Sequence, residues 1–197
     1  MNKKSLKLIE TCKLPTKYGN FKLYAFKEKK TKKEHLAIVL GVLKNKSPSL
    51  IRLHSQCLSG ESFFSLRCDC RFQLTESLKK IKKNKSGAII YLQQEGRDIG
   101  LLNKIKAYKL QDQGLDTVEA NHKLGFDKDP RNYKIATEII KFFGIKKINL
   151  ITNNPKKINA IKLTGIKINK RIPIKSNTNN HNKDYLRTKE KKLGHLL

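Results

Sequence analysis

Between residues 88 and 171 the chain alternates strand-like and helix-like stretches, and each helix-like stretch stops at a glycine. Few folds accommodate that pattern. Residues 88–92 read as a buried strand, 101–113 as a helix stopped by Gly114, and 130–143 as a helix stopped by Gly144. Strand 148–152, helix 155–164 stopped by Gly165, and strand 166–171 follow. A glycine just past a helix takes the left-handed conformation without steric cost, so these boundaries are chemically sound. Residues 1–50 differ: 19–26 and 36–42 alternate apolar and polar side chains around a lysine-rich stretch, 27–33, as a β-hairpin with a charged turn does. The expected fold is α/β, a layered α/β/α domain with a mixed sheet and an N-terminal β-hairpin region. A chain of 197 residues suffices for one well-buried domain. The expected division is a main catalytic domain over 1–175 and a polar, asparagine-rich C-terminal tail over 176–197, free to move, with a last helix near 184–192.

Charge narrows the partners. Lys and Arg number 44 against 16 acidic residues, a net +28, but the lysines are spread along the whole chain and not gathered into one arm. That is a solvated basic surface, without a specific nucleic-acid partner, although it attracts phosphorylated ligands. Residues 1–7 lack the apolar run of a signal peptide, and no stretch is apolar for long enough to cross a bilayer. The expected location is cytoplasmic, with no membrane partner. Four cysteines there stay reduced, so Cys57, Cys68 and Cys70 are read as thiol or metal chemistry. Cys12 stands apart and is expected to pack as a small apolar group.

The sharpest chemical signal is Cys57-Leu-Ser-Gly-Glu-Ser-Phe-Phe-Ser-Leu-Arg-Cys68-Asp-Cys70. Three thiolates suit a catalytic zinc, which keeps its fourth position open; His54 as a fourth ligand would make a closed structural site, and spacing alone leaves both readings standing. In the catalytic case the metal makes hydroxide available near neutral pH. A second signal, Gln93-Gln94-Glu95-Gly96-Arg97-Asp98-Ile99-Gly100, lies where a strand gives way to a helix, the end at which open α/β sheets bind ligands. Arg97 suits a phosphate and Glu95 a base or a hydrated metal, while a tight turn with a surface ion pair explains the motif equally well. Thr152-Asn153-Asn154-Pro155-Lys156-Lys157 opens the next helix, with free N–H groups and Lys157 for an anion, or simply an asparagine N-cap. Asp129, just before Pro130, reads as an N-cap or, facing a pocket, as a general base. Tyr108 faces either core or pocket, and His122 reads as structural.

Taken together, five stretches resemble the GTP cyclohydrolase II family in order and spacing: Arg52-Leu-His-Ser-Gln-Cys57, Ser65-Leu-Arg-Cys-Asp-Cys70, Gln94-Glu-Gly-Arg-Asp-Ile-Gly-Leu-Leu-Asn103, Asp116-Thr-Val-Glu-Ala-Asn121 and Thr152-Asn-Asn-Pro-Lys-Lys157. The closing Leu193-Gly-His-Leu-Leu197 agrees with them. The resemblance implies a homodimeric, monofunctional enzyme that converts GTP to 2,5-diamino-6-ribosylamino-4(3H)-pyrimidinone 5′-phosphate, formate and pyrophosphate, the first step of riboflavin biosynthesis. It implies zinc on Cys57, Cys68 and Cys70, with magnesium on the phosphates. Arg52, Leu53, His54, Ser55, Gln56, Gln73, Glu95, Gly96, Arg97, Thr117, Thr152 and Lys157 match GTP-contacting positions. Asp129 matches the proton acceptor, Arg131 the nucleophile toward the α-phosphorus, and Tyr108 a pocket tyrosine for ring opening. A guanidinium is a poor nucleophile, so stabilising phosphate charge is the safer physical role for Arg131. Gln56, Ser59, Glu61 and Arg71 depart from the family pattern, where glutamate, threonine, aspartate and glycine are expected; Arg71, beside Cys70, bears on turn geometry at the metal.

Overall fold

The computed structural model of the protein describes residues 5–43 and 47–196. Residues 1–4 of the amino-terminal stretch and Leu197 of the closing motif lie outside the described residues. A seven-stranded mixed sheet runs in the order β1-β2-β3-β5-β4-β6-β7. β1 (Leu6–Thr16), β2 (Gly19–Glu28) and β3 (Glu34–Leu40) form an antiparallel meander, one strand more than the expected hairpin. β3 pairs antiparallel with β5 (Gly87–Leu92), after which β4 (Ser49–Ser55), β6 (Lys147–Ile151) and β7 (Lys167–Ile172) continue in parallel. The change of direction follows from patterning. β3 alternates buried and half-buried residues, whereas β4 and β5 are buried on both faces, as central parallel strands are, β5 as an apolar run and β4 with Arg52 and His54 among its apolar side chains. Cys12 proves exposed on the edge strand β1, so it does not pack as an apolar group.

Successive side chains of the central strands feed two cores. Ile51, Leu53, Ala88 and Ile90 point to one face, where Ile139 and Ile140 of α6 (Lys134–Phe142) and Ile161 of α7 (Pro155–Lys162) cover them. Leu50 and Ile89 point to the other, against Ile81 of α2 (Cys70–Asn84). The layers are therefore α/β/α, as expected. Helix α6 starts four residues later than the expected 130–143, because Asp129 does not cap it. The Asp129 carboxylate is turned onto Arg131 instead, and Tyr133 occupies the N-cap position without a side-chain bond. The remaining helices are α1 (Leu58–Glu61), α3 (Glu95–Asp98), α4 (Leu101–Asp112), α5 (Thr117–Lys123) and α8 (Lys183–Lys191). The last of these is the helix expected near 184–192. It buries Leu186, Thr188 and Lys189 and packs against α5, so the polar stretch beyond 175 lies on the body of the fold. No described helix is long and apolar enough to cross a membrane.

Parallel pairing of β4 with both β5 and β6 brings three strand ends to one edge of the sheet. The loops leaving those ends carry Gln56–Cys57, Gln93–Arg97 and Thr152–Asn154. The three sharpest sequence motifs thereby meet.

Candidate active site

Beyond β4 the chain turns into α1 and then α2, bringing Cys57, Cys68 and Cys70 together. Their sulfurs lie within 4.8 Å of one another, with Cys57 Sγ 3.7 Å from Cys68 Sγ. Gly60 makes the approach possible. A Cβ there would stand 2.6 Å from Cys68 Sγ, closer than real contacts allow, and a tight 3.1 Å from Cys57 Sγ. Hydrogen bonds from the neighbouring thiols, joined by Lys104, lower the pKa of Cys57, and the same sharing pushes Cys68 up to about 11. Such a trio suits a cation. Among the described residues no fourth His, Cys, Asp or Glu ligand joins the cluster. His54 is engaged elsewhere: its Nε2 lies 2.9 Å from Glu61 Oε1, its ring stacks on Tyr91, and burial lowers its pKa. Glu61 also accepts from the Cys57 backbone N–H at 2.9 Å and from Tyr91 Oη at 2.6 Å. Arg71 has its guanidinium over the Phe64 ring, 3.5 Å from the centroid.

The Glu95–Asp98 turn is left-handed, with φ of +62° at Gly96 and Arg97 and +79° at Asp98. Only Gly96 adopts this without strain, and a Cβ there would meet Ile99 and Lys104 at 3.0 Å. Held in this way, Arg97 donates to Thr117 Oγ1 at 3.1 Å, and Asp98 pairs with Lys33. Glu95 accepts from the Leu58 backbone N–H at 2.6 Å and from Lys104 at 2.7 Å. Tyr108, two turns into α4, faces the cleft, with its hydroxyl 3.2 Å from Ser59 Oγ. Thr117 opens α5, which Asp116 and Glu119 start with a reciprocal capping box.

Cations gather at the third side. Arg52 donates to Gln73 and to the Ile151 carbonyl, and burial lowers its pKa to about 10. Gln73 in turn donates to Asp69, which takes both a 3.0 Å and a 3.1 Å bond from Lys189 of α8. Arg131 is clamped by Asp129 at 2.7 and 2.8 Å. Burial alone would lower the Arg131 pKa, but Tyr133 and the carboxylate hold it above its ordinary value. Against its own burial, the Arg131 pair holds Asp129 down to about 2. Lys157 is buried, donates to the Leu53 carbonyl at 2.7 Å, and has its pKa depressed by burial and by Arg52 and Arg131. Nη2 of Arg97, Nε of Arg52 and the Tyr133 hydroxyl are buried without partners. A wall with this charge and these idle donors is built for a polyanion.

One cleft is lined by every expected site residue except Leu53 and Asp129. Leu53 has its side chain in the core and offers only a carbonyl, while Asp129 acts on the cleft through Arg131. The Asn154 N-cap of α7 is real, its side chain accepting from the Lys156 N–H at 2.8 Å. Sequence reasoning missed Glu61 as an anchor, and also Lys104, Asp69, Lys189, Tyr185 and His195. Asp69 stands in the sequence between Cys68 and Cys70; the lysines are lost among 44 basic residues.

A sequence profile described as GTP cyclohydrolase II matches residues 7–173. The chain is 53% identical over 192 residues to a GTP cyclohydrolase-2 of Buchnera aphidicola subsp. Acyrthosiphon pisum, covering 98% of this chain and 99% of that one. It is 51% identical over 192 residues to a riboflavin biosynthesis protein of Vibrio vulnificus, covering 98% of this chain but only 52% of that longer protein. Among solved structures, a two-domain 3,4-dihydroxy-2-butanone 4-phosphate synthase of A. baumannii, RibBX, shares the fold with a TM-score of 0.50 at 17% identity, over 89% of this chain and 42% of that one.

Two outcomes follow from this geometry. Gly60→Ala is expected to abolish metal uptake while leaving far-ultraviolet circular dichroism unchanged; full metal content in the variant would show that the sulfurs are not confined. Because the folded pKa of Asp129 is depressed from 3.8 to about 2, its contribution is full above the unfolded value and is lost as pH falls through the folded one. Unfolding free energies of wild type and Asp129→Asn should converge by about 2 kcal/mol between about pH 5 and about pH 2; a constant gap would remove the Asp129–Arg131 pair from acid stability.

Proposed function

The chain belongs to the GTP cyclohydrolase II family, and from that premise we propose that its cleft binds GTP with magnesium and releases formate and pyrophosphate, leaving the diaminopyrimidinone ribosyl phosphate. The observation that carries this reading is the convergence of three cysteine sulfurs and a cationic wall in one cleft. The donor set suits zinc, which three thiolates bind with a position left open. Held by Cys57, Cys68 and Cys70, zinc supplies Lewis acidity for hydrolytic opening of the imidazole ring.

The protein's own groups do the rest. Arg97, Arg131 and Lys157 take the phosphates, with Thr117 orienting Arg97 and Thr152 stabilising the turn into α7. Arg52, His54, Ser55, Gln56 and Gln73 form the adjoining wall, where Gln73 fixes Arg52 and Gln94 fixes Ser55 at 2.9 Å. Glu95 and Gly96 bring the turn backbone close to the ligand. Asp129 serves to aim Arg131. A carboxylate held near 2 is a weak base, and a guanidinium held above its usual pKa stays charged, so the pair stabilises developing charge at the α-phosphate. Tyr108, tethered to Ser59, sits beside the sulfurs to orient the opening ring. The catalytic unit, expected to end near 175, is here taken to include α8, since Tyr185, Lys189 and His195 line the same cleft.

A cytoplasmic location fits a site that needs three reduced thiols. A homodimer fits the exposed apolar side chains Phe63, Leu66, Leu102 and Ile105: the loop carrying the first two is braced to α4, which carries the others, by Arg67 and Asp112. Sedimentation of the purified protein at twice the chain mass is expected, and a monomer at all concentrations would overturn this assignment.

With GTP and magnesium, the zinc-loaded protein should release formate, pyrophosphate and the diaminopyrimidinone at matching yield in one time course. Arg131→Ala should slow pyrophosphate release by about 100-fold without erasing it, whereas complete loss would return Arg131 to the nucleophile's role. Tyr108→Phe should slow ring opening with pyrophosphate release preserved. Silence from folded, zinc-bound wild type would remove the GTP reading.

A further inference from the structure

Lysine is rarely buried without a partner, and Lys104 of α4 is only 7% exposed. Its ammonium donates to Cys57 Sγ at 3.2 Å and to Glu95 Oε1 at 2.7 Å, and it lies 5.6 Å from the Tyr108 ring centroid. No matched motif assigns it a role. The Lys104 stem packs against the bare Gly96 backbone, where an added Cβ would stand 3.0 Å from the Lys104 Cβ. The head is set by Glu95, whose second oxygen is occupied by the Leu58 N–H at 2.6 Å, one residue past Cys57. Cys57 is therefore fixed from several sides: its own N–H is bound to Glu61, the next N–H to Glu95, and its sulfur faces the ammonium.

We propose that Lys104 is a positioning residue of the metal centre, donating an N–H···S hydrogen bond that aims the Cys57 sulfur at the ion and offsets the charge of a three-thiolate site. This rests on the metal reading above. Three thiolates around a dication leave a net negative charge in a partly buried place, which is costly unless a cation or hydrogen bond meets it. Groups that bond a metal's ligands set the ligands' orientation, and their loss typically lowers metal affinity by about 10- to 100-fold.

The test compares wild type, Lys104→Met and Glu95→Gln for zinc affinity, by competition with a chromophoric chelator at fixed neutral pH. Cobalt-substituted samples give the sulfur-to-metal charge-transfer band. Lys104→Met should bind zinc about 10- to 100-fold more weakly and shift that band, because the Cys57 sulfur loses its hydrogen bond. Glu95→Gln keeps the ammonium and should lose less. Equal affinity and an unchanged band in Lys104→Met would overturn the proposal, as would matching losses in both variants, which would make the pair a brace only. Lys104→Leu, which likewise carries no donor, replaces the methionine variant if the latter does not fold, with the same outcomes. Wild type that takes up neither zinc nor cobalt would overturn the metal reading along with this one, whereas wild type that binds alongside indifferent variants would overturn this one alone.

Discussion

Three sulfurs confined within 4.8 Å repel one another as thiolates, and the surroundings of β4 and β5 are arranged to hold them there. Gly60 gives up its side chain so that they can approach. Glu61 and Glu95, both largely buried, spend their oxygens on backbone N–H groups at Cys57 and Leu58 and on His54, Tyr91 and Lys104. Burying two carboxylates is expensive unless each is paired or well hydrogen-bonded, and here each is. The sulfur cluster is thus bound to the Glu95–Asp98 turn through Glu95, so a displacement of one is felt by the other.

The rest of the cleft obeys a second electrostatic rule. Arg52, Arg97, Arg131, Lys157 and Lys189 line one surface and, among the described residues, only Asp69 and Asp129 are carboxylates bonded to members of the group. Burial first, and then the excess charge of Arg52 and Arg131, pushes Lys157 down; burial first, and then Lys189 and Arg131, pushes His195 to about 3. A surface in this condition gains stability from a bound polyanion, by relief of its own repulsion as well as by direct contact. The scattered lysines that give the chain its net +28 play no comparable part.

Much of this was legible in the sequence, for identifiable reasons. Strands β5 and β6 and the helices ending at Gly114, Gly144 and Gly165 could be read because apolar runs and C′ glycines are local signals, and all three glycines have positive φ, whereas β4, its apolar side chains interrupted by Arg52 and His54, was not read as a strand. The five motifs were legible as a resemblance, and the strand ends do gather them. What was not legible depended on distance along the chain. Asp129 looked like an N-cap, and only the fold shows its carboxylate drawn to Arg131 and α6 delayed to Lys134. Helix α2 carries its apolar side chains sparsely among lysines, and β1 is an edge strand with little burial, so neither announced itself. The Asp116-x-x-Glu119 capping box was a readable signal for α5 that went unused. Lys104 and Lys189 differ from dozens of solvated lysines only in where they end up.

The Asp69–Lys189 contact joins residues 120 apart in sequence, and Leu196 donates its N–H to the Asn153 carbonyl near the end of β6. A ribosome delivers the sheet, the cysteines and the cationic loops well before it delivers α8. The cleft must therefore pass through a stage in synthesis when Asp69 is formed but has no lysine to meet it and Arg52 is fixed at only one end of its chain of bonds. Assembly of the site in this way waits on α8, and a chain lacking that helix would keep the motifs yet lose the strut that holds them in register.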